Sequence, residues 1–363
     1  MMSGSNGLPE QLCAVCGQSS RRIAAALGVC QRCLFVHTRE ARVIAGRAHQ
    51  ASRRLFDLPE APPRAAGGRH CGLCAQQCLI GEGERGFCGL RTVRHGRLIH
   101  LAGTPARGLL HWYRDPLPTN CVADWVCAGH DRLGYHNLAV FYASCTLDCL
   151  YCQNWHYREA DPVTGHKMSA RELACLANPR TFCVCYFGGD PASQMPHALA
   201  SAGLLAEGGV TVCWETAGTA APSLMDRAVW LSLETGGTVK FDLKAYDERL
   251  HYALTGGPNA QTLHNFARAA RRFPERTYPP LLVASTLLIP GYIEATEVSR
   301  IATFIAMLNP HIPYALLGFA PNYLMPDLPT TTVGQAEAAV AVAWDAGLRN
   351  VRIGNRHLLA RGD

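Results

Sequence analysis

From residue 137 onward the chain alternates two hydrophobic patterns. Short runs rich in β-branched and aromatic residues lie at 138–142, 182–187, 210–215, 238–243, 281–289 and 314–319. The stretches between them, among them 169–176, 193–207, 223–233, 259–272 and 296–308, are long enough for helices. Strands that recur with intervening helices predict parallel β-α units, because a parallel neighbour is reached only through a long crossover. Six such units predict an α/β fold, an open or partial (β/α)6 barrel over 137–363. Active sites of barrels lie past the carboxyl ends of the strands, so the residues following each run are the informative ones.

Upstream the texture differs. Residues 34–58 read as a helix with arginines on a solvated face, completing an N-terminal module over 1–58. Residues 59–70 concentrate Pro and Gly and read as a linker. A cysteine-rich accessory region over 71–136 follows, in which 91–102 alternates as a hairpin turning at Gly96, with His95 and His100 on its solvent side.

Composition narrows the class. A length of 363 residues with 48% hydrophobic content allows two or three domains and at least one large core. The formal charge of +6 comes without a run of Lys and Arg, which argues against a nucleic-acid-binding arm. No stretch approaches the roughly eighteen apolar residues of a membrane span, and MMSGSNGLPEQLC has no signal-peptide core. A cytosolic protein keeps its thiols reduced, so its seventeen cysteines are read first as metal ligands or redox centres.

Cys13, Cys16, Cys30 and Cys33 form two CxxC pairs thirteen residues apart, the arrangement of closed structural zinc sites. Metal would supply the folding free energy of so small a module. Cys71, Cys74, Cys78 and Cys88 form a second group, which closes a zinc tetrahedron or takes a second iron-sulfur cluster; the spacing does not choose. Cys121 and Cys127 either complete one of these sites or pack as small hydrophobes, and Cys175, Cys183, Cys185 and Cys213 read as buried inert thiols.

The central group is Cys145, Cys149 and Cys152, in CTLDCLYCQN directly after the run at 138–142. Three thiolates on one loop hold three irons of a [4Fe-4S] cube and leave the fourth free for a small molecule, unless a fourth ligand lies elsewhere or the loop binds zinc. Past the other strands come Gly188-Gly189-Asp190-Pro191, Glu215-Thr216-Ala217-Gly218 and Asp242-Leu243-Lys244. Glycines let backbone approach a ligand, Asp190, Glu215 and Asp242 offer carboxylates for ammonium or hydroxyl groups, and Lys244 offers a cation for a carboxylate. Those are the polar features that an amino-acid nucleoside requires. Tyr135 and Tyr142, just upstream, are candidates to occupy an open iron at rest.

These residues resemble the radical S-adenosylmethionine (SAM) enzymes, in the branch similar to pyruvate formate-lyase activating enzyme. Cys145, Cys149 and Cys152 fit that family's CxxxCxxC motif with Tyr151 before the last cysteine, and Gly188-Gly189-Asp190-Pro191 takes the place of its GGEP, one methylene shorter at the acid. Further matches run through 239–247, 254–259, 288–292 and 319–325. The loop at 71–91 also resembles the radical enzyme of the AmmeMemoRadiSam group. The resemblance implies a [4Fe-4S] cluster on Cys145, Cys149 and Cys152, and reductive cleavage of SAM to a 5′-deoxyadenosyl radical. It further implies that Gly188, Gly189 and Asp190 hold the methionyl end, Glu215 the ribose side, and Lys244 with Asp242 the methionyl carboxylate. An electron donor such as flavodoxin or ferredoxin and a protein or peptide substrate are its implied partners. A small-molecule radical enzyme and a non-catalytic metal-stabilised binding module are the competing readings.

Overall fold

The computed structural model describes residues 9–119 and 121–361; of the stretch MMSGSNGLPEQLC, read as lacking a signal-peptide core, the first eight residues lie outside them. The chain builds a nine-stranded sheet from β1 (Gly108–Pro116), β2 (His136–Tyr142), β3 (Lys167–Met168), β4 (Thr181–Gly188), β5 (Thr211–Thr216), β6 (Val239–Asp242), β7 (Leu282–Leu288), β8 (Tyr314–Gly318) and β9 (Val351–Ile353), in the order β9-β8-β7-β6-β5-β4-β2-β1-β3. From β2 and β4 through to β9 every pairing is parallel; β1 runs antiparallel to both β2 and β3. The ladder does not close, as expected of a partial barrel. All six expected strands are present. The sheet exceeds the expectation at both ends: β9 extends it, and β1, which mixes Leu110 with His111, Arg114 and Asp115, has too little alternation to be read from sequence.

The crossover helices are α2 (Met195–Glu207), α3 (Pro222–Thr235), α4 (Glu248–Thr255) with α5 (Ala260–Arg272), α6 (Ala295–Leu308) and α7 (Val333–Asp345). Local chemistry sets their ends. The Asp247 side chain accepts from Arg249 N and Leu250 N at the start of α4, and Gly256 ends it at φ 68°. Thr332 and Gln335 form a reciprocal capping box on α7.

Side-chain alternation separates core from mouth. Val184, Tyr186, Val212, Trp214, Val239 and Phe241 point to the helix-covered core, all fully buried. Their neighbours Cys185, Phe187, Glu215, Lys240 and Asp242 line cavities on the concave face.

The N-terminal region packs on this core. Ile23, Ala24, Leu27, Val29, Leu34, Ala41 and Ala45 belong to the same apolar cluster as the sheet. Tyr292 Oη accepts from Ala24 N and donates to Val29 O, both at 3.0 Å. The helical segment expected at 34–58 is split into Gln31–Val36 and α1 (Thr38–Arg54). Its arginines are not all solvated: Arg53 is buried, bonded to Pro59 O and Phe87 O, with its guanidinium 3.5 Å from the Phe87 ring centroid. The Pro/Gly stretch after it is pinned as well, through Arg64 to Gln76 O and Gln77 O. The hairpin of Arg91–Arg94 and Arg97–His100 turns at Gly96 as expected. His100 is half-buried, however, and its Nδ1 accepts from Arg91 Nε at 3.3 Å.

Candidate active site

β2 ends at Tyr142, and the chain turns into the Cys145–Cys152 loop. β4 ends one strand away at Gly188, and two backbone bonds join the two ends: Gly189 N to Tyr142 O at 3.0 Å and Asp190 N to Ser144 O at 2.9 Å. This contact requires glycine. A Cβ on Gly189 would lie 2.1 Å from Ser144 O, and Gly188, at φ 89°, would meet the Phe141 ring at 2.6 Å. The glycines therefore hold the loop directly against the strand end.

Asp190 is buried and braces the next strand. Oδ1 accepts from Ala192 N at 2.7 Å and Thr216 Oγ1 at 2.9 Å, and Oδ2 accepts from Ala217 N at 2.8 Å. Burial pushes its carboxyl up, opposed by these same bonds. The carboxylate thus ties the Gly188-Gly189 turn to the end of β5, and most of its acceptor capacity is used within the chain.

A solvent-open cavity is lined by Cys145, Cys149 and Cys152 together with Gly188, Gly189, Asp190, Glu215, Asp242 and Lys244. These are the nine residues that the sequence reading assigned to the cluster and the cofactor. No fourth cysteine lines it among the described residues. Nor are the three sulfurs gathered as closely as the Cys13 group, where all four lie within 4.8 Å of one another. A tetrahedral zinc with bonds of about 2.3 Å draws its sulfurs to about 3.8 Å. That spread is wider than one tetrahedral ion requires.

Charge in the mouth is paired. Lys244 Nζ donates to Asp242 Oδ2 at 2.5 Å and lies 5.8 Å from the Tyr151 ring centroid. Burial alone would lower the Lys244 ammonium, but Asp242 and Cys149 hold it well above its ordinary value.

Two residues were missed from sequence. Lys240 is buried in β6, with Nζ 3.0 Å from Cys121 Sγ, 3.2 Å from Cys185 Sγ and 3.7 Å from Glu215 Oε1. The alternation Val239-Lys240-Phe241-Asp242 was the available signal, since a Lys flanked by core residues must face the concave side. Cys121 and Cys185 therefore flank a cation. Cys183 and Cys185 are buried as expected, whereas Cys175 is exposed and Cys213 only half-buried. The second is Asp148, inside the cysteine loop and fully buried. It accepts from His49 Nδ1 at 3.0 Å, Ser52 Oγ at 3.0 Å and Arg158 Nη2 at 3.2 Å, with Arg53 Nη1 3.9 Å away. Burial opposes its charge, but His49, Arg158 and Arg53 hold the carboxyl below the usual range.

The structure excludes Tyr142 as an iron ligand. Its hydroxyl lies on the core face, bonded to His197 Nδ1 at 2.7 Å, and its ring is fully buried. Tyr135 is exposed in the segment before β2.

A family profile described as the Radical SAM superfamily matches residues 139–300. Over 303 residues, 78% of this chain and 80% of the relative, the chain is 24% identical to an uncharacterised protein of Methanocaldococcus jannaschii. It is 30% identical to pyruvate formate-lyase-activating enzyme of Staphylococcus aureus over 193 residues, 49% of this chain and 74% of the relative. Among solved structures, a domain of pyruvate-formate lyase-activating enzyme from Bacteroides vulgatus aligns with 48% of this chain and 99% of its own, at 22% identity and a TM-score of 0.38.

Proposed function

The chain belongs to the radical SAM superfamily of enzymes, and on that premise we propose that it cleaves S-adenosylmethionine reductively in the cavity at the strand ends, to modify a protein or peptide. When bound, a [4Fe-4S] cluster supplies the electron that splits SAM into methionine and a 5′-deoxyadenosyl radical. Cys145, Cys149 and Cys152 hold three of its irons. The observation that carries this reading is the cavity wall with three cysteines and, among the described residues, no fourth, facing paired charges and a glycine turn.

The remaining roles belong to the chain's own groups. Gly188 and Gly189 present bare backbone to the methionyl end, and Asp190 keeps that turn fixed through Thr216 and Ala217 rather than by a free carboxylate. Lys244 neutralises the methionyl carboxylate, with Asp242 holding its ammonium in place. Glu215, partly exposed at the cavity edge, takes the ribose side. An external one-electron donor such as flavodoxin or ferredoxin reduces the site.

A protein or peptide substrate is supported by the similarity to an enzyme named for activating pyruvate formate-lyase. Zinc is our reading for Cys13, Cys16, Cys30 and Cys33, whose sulfurs meet the spacing of a single tetrahedral ion. The test is anaerobic reconstitution with iron and sulfide, followed by reductant and SAM. Formation of 5′-deoxyadenosine supports the proposal; its absence from protein with an intact cube refutes it.

A further inference from the structure

Cys71, Cys74, Cys78 and Cys88 take no part in the proposed SAM site. All four line one small cavity with Phe87, Arg91 and Thr146. The loop is folded for convergence: Arg69–His70 pairs antiparallel with Leu79–Ile80, and Cys71 N donates to Cys78 O at 3.0 Å. Two donors point at sulfur, Phe87 N to Cys78 Sγ at 3.4 Å and Arg91 Nη1 to Cys88 Sγ at 3.3 Å. Such N–H···S bonds favour anionic, metal-bound sulfur over a neutral thiol.

Arg91 is 1% exposed. Its guanidinium bonds His100 Nδ1, Ser193 O and Cys88 Sγ, while Nη2 has no partner. No carboxylate pairs with it among the described residues. A guanidinium keeps its charge in proteins, and burying that charge without an anion is strongly unfavourable. The balancing charge therefore belongs in the adjoining cavity, where four neutral thiols supply none and four metal-bound thiolates supply an excess.

Spacing favours a cluster over a single ion. The Cys13 sulfurs are gathered within 4.8 Å, as one tetrahedral ion requires, whereas those of Cys71, Cys74, Cys78 and Cys88 are not all so close. A cube holds its thiolates at four separated corners. We propose that Cys71, Cys74, Cys78 and Cys88 hold a second [4Fe-4S] cluster, ligated by protein at every iron, with Arg91 as its buried counter-ion. Its place is beside the first: Ser144, the residue before Cys145, donates through Oγ to Cys88 O at 2.9 Å. This site does not depend on the SAM reading.

The test removes the first site. The full chain carrying Cys145→Ala, Cys149→Ala and Cys152→Ala is reconstituted anaerobically with iron and sulfide. The expected result is about four irons and four sulfides per chain, with a reduced-state paramagnetic signal that SAM leaves unchanged. Adding Cys74→Ser and Cys78→Ser removes that iron while the far-ultraviolet circular dichroism stays. Zinc in place of iron at this site, or iron that survives the second pair of substitutions, overturns the proposal. If the triple variant does not fold, iron-57 Mössbauer spectra of the wild type decide between about eight irons and about four. Arg91→Met lowers the reduction potential of the second cluster and leaves the first unmoved; an unshifted potential removes Arg91 from the proposal.

Discussion

Asp148 shows how a residue other than the three central cysteines fixes their loop. It sits between Cys145 and Cys149 and gathers His49, Ser52 and Arg158 around one buried carboxylate. Asp148→Asn leaves buried Arg158 and Arg53 without their anion, at an expected cost of about 3–5 kcal/mol, measured by denaturant unfolding of the apoprotein. Because its carboxyl is held below the ordinary value, its contribution is complete above a pH of about 4 and is lost as pH falls through the folded value. Gly189→Ala acts differently, since its Cβ meets Ser144 O at 2.1 Å. The strand end and cysteine loop must separate, so SAM cleavage is expected to fall at least about tenfold while the protein stays folded; an unchanged rate of 5′-deoxyadenosine formation contradicts this. The three cysteines, the glycine pair and Lys244 were legible in sequence because each carries its chemistry in its own residue type. Asp148 and Lys240 were not, because an acid in a loop and a lysine in a strand acquire meaning only from partners up to 119 residues away.

At the scale of elements, α2 is fastened to the sheet by a neutral histidine. His197 Nε2 donates to Met168 O at 2.9 Å, so Nδ1 accepts the Tyr142 hydroxyl, and its ring occupies the space a side chain at Gly108 would need. Burial lowers His197 to about 4, and likewise His251 in α4. A histidine with a lowered folded value favours the neutral form. Its contribution is therefore present above a pH of about 6.5 and lost as pH falls toward 4, about 3 kcal/mol at most for each. The melting temperature is expected to drop across that window, and His197→Gln to flatten the drop; a pH-independent wild type contradicts this. The parallel strands and most crossover helices were legible, since apolar periodicity and capping residues agree there. The split of the N-terminal helix and the added strand β1 were not, because packing against distant segments decides both.

Across the whole molecule, the N-terminal segment, the cysteine-rich region and the open sheet meet at the cysteine loop. α1 reaches it through His49 and Ser52, the second cysteine group through Ser144, and β4 through Gly189. Removing metal from the Cys13 group is thus expected to reach the sheet. A chelator that releases about one zinc per chain should lower the melting temperature of the whole protein, and a single unshifted transition contradicts that coupling. The fold class and the composition of the mouth were readable from the chain alone, but the union of these regions was not, since it rests on a few buried contacts that leave no periodic trace. The central claim is that three cysteines leave one iron open to SAM. Iron-57 Mössbauer spectra of the reconstituted protein, recorded with and without SAM, test it most directly. One iron of the cube at Cys145, Cys149 and Cys152 should change its signature when SAM is added; spectra in which all irons stay the same would contradict the account.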